Sequence, residues 1–362
     1  MTRPHVLVAV KGLGIGGAER LIAEGARYWD RDRFDYRVVY MLPWKNQLVG
    51  DIESYDVPVE CLGGERGRAP VWAMRLRKYV KDIRADLIHV HSPAVAVAAR
   101  AVVTKPIVYT EHNLADSYRQ PTKLLNRMTY GRNAAVTAVS EQVAASASAF
   151  AGPKPVVVPN GVSVAIDPDA AASARAELGI RPQDPLVVHV GNIRPGKGHD
   201  TLIDAVAHLP DKVTVVSIGG EKHSGDLARV QAASEKAGVS GQLRFLGRRE
   251  DALRFVAAAD VYVNPADHEG LPVTILEALA LARPVVATAV GGVPTVVKSQ
   301  QTGVLVAPKE PAALAAEICK LLDDSEFAAQ LGSSGKQLVA DDFSLEPMIR
   351  SFERIYAEVL DG

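Results

Sequence analysis

Cysteine is almost absent from this chain: Cys61 and Cys319 are the only two in 362 residues, far apart and without metal-ligand spacing. That excludes a disulfide framework and makes a reducing cytoplasm the expected compartment. Any run of about 18 apolar residues is also missing, so no segment is expected to span a membrane. The opening Met1-Thr2-Arg3-Pro4-His5 leads straight into Val6 to Val10, too short for the hydrophobic stretch of a signal peptide and with no small-residue cleavage site behind it. Net charge is −1, which argues against nucleic acid as the main partner. No solenoid period and no low-complexity tract is visible.

The small net charge hides an asymmetry. Residues 1–163 hold 22 Lys+Arg against 15 Asp+Glu, and the remainder holds 19 against 27. The first half is therefore the one expected to face an anionic surface or acceptor.

A chain of this length suits two cores better than one. Short β-branched runs alternate with helical patterns throughout. Val6–Val10, Tyr36–Met41, Leu87–Val90, Ile107–Thr110, Ala135–Val139 and Val156–Val158 read as the strands of one sheet. Leu186–Val190, Val213–Ile218, Leu243–Leu246, Val261–Asn264, Val285–Thr288 and Gly303–Val306 read as those of a second. Near-continuous apolar strands separated by helices imply parallel sheets covered on both faces, hence an α/β protein of two doubly wound, Rossmann-like domains. The expected domains are residues 1–163 and 164–342. A final helix over 343–362, with Leu345, Met348, Ile349, Phe352, Ile355 and Val359 on one stripe, needs a groove and is expected to pack back on the N-terminal domain. Ligands of such sheets bind beyond the carboxyl ends of the strands, so two domains facing a central cleft would carry their motifs at strand-to-helix turns.

The first such turn, Gly12-Leu13-Gly14-Ile15-Gly16-Gly17, lies before a helix expected over Ala18–Trp29 and has the glycine pattern of dinucleotide-binding folds. A nicotinamide cofactor would want an acid ending the second strand, and Met41-Leu42-Pro43-Trp44-Lys45 has none. The glycines either admit a ligand to the backbone or only permit a tight turn. The second turn, Gly191-Asn192-Ile193-Arg194-Pro195-Gly196-Lys197-Gly198, resembles a phosphate loop whose magnesium-holding Ser or Thr is replaced by Gly198. Arg194 and Lys197 suit a diphosphate neutralised without a metal; the alternative is an exposed basic loop. The third turn runs from Asp267 through Glu269-Gly270-Leu271-Pro272-Val273 to Glu277. Pro272 fits the first turn of a helix, which would set the two carboxylates roughly 12 Å apart along the axis. The amides of Gly270, Leu271, Pro272's successor Val273 and their neighbours would offer a positive helix end to a phosphate.

Taken in order, these motifs resemble those of the family-4 retaining glycosyltransferases, whose two Rossmann-like domains form the GT-B architecture, and the resemblance covers nearly the whole chain. Gly16-Gly17-Ala18-Glu19-Arg20 looks like their glycine turn, and Thr110-Glu111-His112-Asn113 and Val158-Pro159-Asn160-Gly161 like their inner N-domain signatures. Phe245-Leu246-Gly247, followed by Arg248, looks like the base-binding turn, and Glu269 to Glu277 matches the paired-glutamate motif. The resemblance implies a donor site of Arg194, Lys197, Gly247, Arg248, Glu269, Gly270, Leu271, Pro272, Val273 and Glu277. Glu277 would hold the ribose hydroxyls, Glu269 the transferred sugar, and Lys197 with the amides the diphosphate. Glu269, His112 and Lys197 are the implied catalytic residues; Gly16, Gly17, His91 and Asn113 are expected on the acceptor side. Many relatives carry Arg directly after the glycine where this chain has Asn192; Arg194, two residues on, is the candidate substitute.

The implied function is a metal-independent hexosyltransferase, with no cofactor, moving a sugar from a UDP- or GDP-sugar to a glycan, lipid-linked or small-molecule acceptor in bacterial cell-surface polysaccharide or glycoconjugate synthesis. A nucleotide-sugar epimerase of the same architecture and a non-catalytic nucleotide-sugar-binding relative are the alternatives. Asp30-Arg31-Asp32 spells a metal-binding signature but lies in a polar connection away from strand ends, and is read as surface. His89 and His91 share one side of a strand but lack further metal ligands. Arg66, Arg68, Arg75, Arg77, Lys78, Lys81 and Arg84, interleaved with Trp72, Leu76, Tyr79, Val80 and Ile83, form either an ordinary surface helix or one that lies on anionic lipid. Arg119, Lys123, Arg127 and Arg132 add a second basic set. The expected location is cytoplasmic, with transient contact at the inner face of the membrane, as monomer or dimer.

Overall fold

A computed structural model describes residues 3–63, 69–118 and 120–362. Arg66, Arg68 and Arg119 lie outside the described residues. The chain divides into two compact units, one of Met1–Gly161 with Ser344–Gly362, the other of Val162–Phe343.

The first unit runs β1 (His5–Val10), α1 (Gly17–Gly25), β2 (Asp35–Tyr40), α2 (Val49–Glu53), β3 (Val59–Cys61), α3 (Ala69–Asp82), β4 (Leu87–Val90), α4 (Pro93–Val102), β5 (Ile107–Glu111), α5 (Thr122–Thr129), β6 (Ala135–Ala138), α6 (Glu141–Ala147) and β7 (Val156–Val157). Its sheet is parallel, in the order β3-β2-β1-β4-β5-β6-β7. The second unit runs α7 (Ala170–Leu178), β8 (Leu186–Val190), α8 (His199–Val206), β9 (Thr214–Ile218), α9 (Asp226–Lys236), β10 (Leu243–Phe245), α10 (Ala252–Ala258), β11 (Val261–Asn264), α11 (Val273–Ala280), β12 (Val285–Thr288), α12 (Val293–Val296), β13 (Val304–Val306), α13 (Pro311–Asp323) and α14 (Ser325–Asp342). Its sheet is also parallel, in the order β10-β9-β8-β11-β12-β13. Both sheets follow the doubly wound order, so each has a switch point where the connections reverse: between β1 and β4 in one, between β8 and β11 in the other. Buried Val, Ile and Leu from strands and helices form a separate core in each unit.

The chain then returns to the first unit as α15 (Leu345–Asp361). Leu345, Met348, Ile349, Phe352, Ile355 and Tyr356 are buried along one stripe. At about 1.5–3 kcal/mol for each large apolar side chain, that face stabilises the docking by roughly 10 kcal/mol before ordering costs. A polar clamp fixes its register. Glu353, 1% exposed, accepts from the Tyr36 hydroxyl (2.9 Å), the Asp30 amide (2.7 Å) and Arg350 (2.8 Å). Asp30 itself accepts from the amides of Asp32 and Arg33, so the Asp30-Arg31-Asp32 triplet closes a turn.

Two expectations need correction. β3 was not anticipated, because Val59-Glu60-Cys61 is a three-residue edge strand too short to show alternation. The first helix, expected to reach Trp29, ends its α-helical part at Gly25 and tightens into a 3₁₀ turn over Ala26–Tyr28. The apolar residues interleaved among the cations of residues 66–84 turn inward where they are described: Trp72, Leu76 and Val80 of α3 are buried in the core and Tyr79 and Ile83 pack against it, while Val71 and Met74 are exposed. Lys78 pairs with Asp82 and Arg75 donates to the carbonyls of Leu62 and Gly63, as on an ordinary surface helix.

Candidate active site

In the second unit the turns after β8, β9, β10, β11 and β12 are stitched together by backbone contacts at the carboxyl edge. The Gly191 amide donates to Ile218, Ile193 to Gly220, and Gly219 to Gly247. Asp267 donates to Gly196, and Gly292 to Gly270. Glycine is required at two of these crossings. Gly198 sits at φ +72°, and a Cβ there would lie 1.8 Å from the Pro265 carbonyl oxygen; Gly291 sits at φ +55°, and its Cβ would lie 1.6 Å from the Glu269 carbonyl oxygen. The basic loop is thereby locked to the segment that carries Glu269.

The side chains converge accordingly. Lys197 Nζ donates to Glu269 Oε1 at 2.5 Å, and the two are only 19% and 9% exposed. Glu277, on α11, is 7% exposed. Both glutamates raise the Tyr262 phenol pKa, after burial as the main cause, so the fully buried Tyr262 stays protonated and reaches toward the Val190 carbonyl oxygen (3.4 Å). Behind the loop, His189 meets Ser217 (3.1 Å), and burial holds its imidazole neutral. Helical hydrogen bonding in α11 begins with the amides of Ile275 and Leu276 on the Pro272 carbonyl. Pro272 therefore caps the helix (φ −73°, ψ 119°) rather than opening its first turn, and the 12 Å separation reckoned on continuous helix between Glu269 and Glu277 does not apply. Gly270, Leu271 and Val273 are buried at that helix start. Arg194 is half-buried, its guanidinium on the Pro195 carbonyl (3.4 Å); Arg248 is exposed beside Gly220, next to Gly247 at φ +68°.

In the first unit a pocket opens at the switch point, walled by Val8 of β1, His89 and His91, His112, Asn160 and, from α15, Phe352. The alternation of β4 puts His89 and His91 on one side, with ring centroids 4.0 Å apart. His91 Nδ1 and His112 Nε2 share a hydrogen bond of 3.1 Å. His89 is held by Thr110 (2.7 Å) and by the Tyr356 hydroxyl (2.5 Å). Burial lowers the pKa of His112 to about 4 and, with a smaller contribution from His112, that of His89 to about 3; His91 is also well below its ordinary value, by burial first and by its two neighbours after. All three rings are neutral at pH 7. No group of three or more ligating side chains suited to a metal occurs among the described residues.

The remaining acceptor-side candidates do not line this pocket. Gly16 caps α1 and Gly17 begins it. Asn113 is exposed. The preceding Glu111, which sequence reasoning passed over, is fully buried; Tyr109 (2.9 Å) and Tyr118 donate to it, and burial raises its pKa to about 7. Phe352, Tyr356 and Gly291 were likewise missed as site residues: the first two are 240 and 244 residues away in sequence from His112, and only the Gly291-Gly292 pair hinted at the third.

Comparison with known proteins agrees on the family. Residues 15–166 match the family model described as Glycosyltransferase Family 4, and residues 171–338 that described as Glycosyl transferases group 1. The chain is similar to the D-inositol 3-phosphate glycosyltransferase of Mycobacterium sp. (strain KMS), at 32% identity over 287 residues, covering 72% of this chain and 64% of that one. It is similar to the enzyme of that name from Corynebacterium efficiens, at 32% identity over 307 residues, covering 76% of this chain and 72% of the other. The first of these relatives is thus spanned over somewhat less than two thirds of its length. Among solved structures, Anabaena HepE in complex with UDP and glucose superposes with a TM-score of 0.87 at 22% identity, covering 98% and 100% of the two chains. A glycosyltransferase from Rickettsia africae gives 0.83 at 21%, covering 99% of each. Those likenesses establish the GT-B fold of two Rossmann-like domains, and with the matched family models and the relatives at 32% identity they lead to one conclusion: this chain belongs to the family-4, group 1 glycosyltransferases.

Proposed function

We propose that the protein is a retaining, metal-independent hexosyltransferase that takes a sugar from a nucleotide-sugar donor. The observation that carries the reading is the Lys197–Glu269 pair, nearly sequestered at the switch point of the second unit and held in place by Gly198 and Gly291. Breaking a glycosyl–phosphate bond puts negative charge on the leaving diphosphate. Lys197 and the amino end of α11 are the groups that would receive it, as fixed dipoles and charge in a site with little water. Once the diphosphate draws Lys197, the Glu269 carboxylate is released to accept from hydroxyls of the transferred sugar. Glu277 would take the ribose. The nitrogen of His112, neutral at pH 7, would hold a sugar hydroxyl without placing a second cation beside an anomeric carbon that is itself becoming positive.

UDP-sugars are favoured as donors by the UDP and UDP-glucose complexes of Anabaena HepE. A polyol or sugar-like acceptor is favoured by the D-inositol 3-phosphate relatives; GDP-sugars, glycan and lipid-linked acceptors belong to the same reading. The proposed site of action is the cytoplasm, in glycoconjugate or surface-polysaccharide synthesis, where a lipid-carried acceptor would bring the enzyme to the inner face of the membrane. No described helix is long and apolar enough to cross that membrane.

The test is a melting-temperature panel of UDP-, GDP- and nicotinamide-containing ligands, with EDTA and with magnesium, followed by product analysis with and without acceptor. A ligand binding only the folded state raises the melting temperature by mass action. A shift with a nucleotide sugar that survives EDTA, and transfer that needs acceptor, are expected. A strict magnesium requirement would refute metal independence, and turnover of the donor to an epimer without acceptor would replace the transferase.

A further inference from the structure

Helix α5 is built inside out. Its inward face is polar: Asn126 is buried and, with Thr129, accepts from the guanidinium of Arg100, itself buried on α4 (2.8 and 3.2 Å). Arg100 also bonds Asn133 (2.8 Å) and stacks over Tyr109 and Tyr130, so this polar anchor is part of the core. The outward face is apolar. Leu124 is 52%, Leu125 40% and Met128 73% exposed, at spacings of three and four residues that set them in one stripe. An ordinary surface helix is arranged the other way. The cost of three exposed large apolar groups on an eight-residue helix calls for something that covers them.

The charge around the stripe names the occupant. From Ser117 to Ser140 the sequence contains no Asp or Glu and four cations, Arg119, Lys123, Arg127 and Arg132. Arg127, on α5, and Arg132, in the 3₁₀ turn that follows it, are exposed. An apolar ridge on a segment whose charged residues are all cations fits the headgroup layer of an anionic bilayer: the leucines and Met128 enter the acyl boundary while the cations meet phosphates. A second copy of this chain would have to set these cations against themselves across a twofold contact. We infer that α5 seats the first unit on anionic lipid. The segment that follows His112 leads directly into α5, so such seating would hold the histidine pocket close to the membrane surface.

The experiment is co-sedimentation of the full chain, without substrates, with phosphatidylcholine vesicles that contain or lack phosphatidylglycerol, at low and high salt. Wild type should pellet only with the anionic vesicles and be released by salt. The pair Lys123→Glu and Arg127→Glu should weaken binding at least ~25-fold, at about fivefold per basic residue. The pair Leu124→Ser and Met128→Ser should weaken it roughly tenfold or more by loss of apolar burial. Circular dichroism and the melting temperature of both variants should match wild type, since Asn126 and Thr129 are untouched. Wild type that stays in the supernatant, or binding that both pairs leave undiminished, overturns the inference. So does a wild-type dimer that the Leu124→Ser, Met128→Ser pair converts to monomer while vesicles bind neither, which would assign the face to a second copy. Because nothing in this readout depends on turnover, it fails or succeeds independently of the transferase reading.

Discussion

Acidification from pH 7.5 to 5.0 should destabilise the first unit, and the three pocket histidines set the size of the effect. Below the ordinary imidazole pKa of 6.5, the unfolded chain binds a proton on each ring that the folded chain refuses until about pH 4 at His112 and about pH 3 at His89. Stability is then lost as pH falls through that window, by ~2 kcal/mol for each of the two rings at pH 5, about 4 kcal/mol together. His91, also well below its ordinary value, pushes the same way. Glu111 has the opposite sign: the folded carboxyl keeps its proton to about pH 7 and the unfolded one only to 4.5, so acidification returns about 2 kcal/mol. The net loss should exceed ~2 kcal/mol, a sizeable part of a typical domain's stability. The assay isolates the unit, because Trp29, Trp44 and Trp72 all lie in it and the second unit has no tryptophan. Urea unfolding followed by tryptophan fluorescence should show a lower midpoint at pH 5.0, and His89→Asn should shrink the pH-dependent part by about 2 kcal/mol. A midpoint that holds steady or rises on acidification would show that the rings are not buried and neutral as described.

Three further outcomes are expected. Lys197→Met, which keeps the stem and removes the charge, should lower kcat by ~10²–10³-fold and weaken the EDTA-resistant thermal shift with nucleotide sugar, while circular dichroism stays unchanged; normal turnover would exclude Lys197 from the chemistry. Gly291→Ala places a Cβ 1.6 Å from the Glu269 carbonyl oxygen, so turnover should drop about 10²-fold as Glu269 is displaced, read by steady-state kinetics. Glu353→Ala leaves the Tyr36 hydroxyl and the Asp30 amide without their buried acceptor and should lower the stability of the first unit by roughly 3 kcal/mol, again read through tryptophan fluorescence.

Much of this was legible because the signals are local. Strands such as Leu87–Val90 and Val261–Asn264 stand where apolar β-branched runs predict them, since a strand covered on both faces leaves little room for polar residues. The pairing of His89 with His91 on one side followed from strand alternation alone. What escaped depends on contacts far apart in sequence. Nothing near Tyr356 says that its hydroxyl meets His89, and nothing near Gly291 says that its missing Cβ admits the backbone of Glu269. Periodicity left one instructive place open. The helical stripe of α3 could be assigned to core or lipid equally well, and the core took it. In α5 the same logic would have buried Leu124 and Met128, but Arg100, buried on a neighbouring helix, needed Asn126 and Thr129 more.

The return of α15 to the first unit has a consequence for how the protein is made. A ribosome releases the first thirteen elements, then the 182 residues from Val162 to Phe343, and only then the helix that walls the histidine pocket. At 5–20 residues per second, that interval is roughly ten to forty seconds. Throughout it, the nascent first unit displays an uncovered seam where Leu345, Met348, Phe352 and Tyr356 will lie, a natural landing place for chaperones. The same ordering is a safeguard: a chain cut short at any point before Ser344 lacks a wall of its pocket, so translation must run past the second unit before the first can be completed.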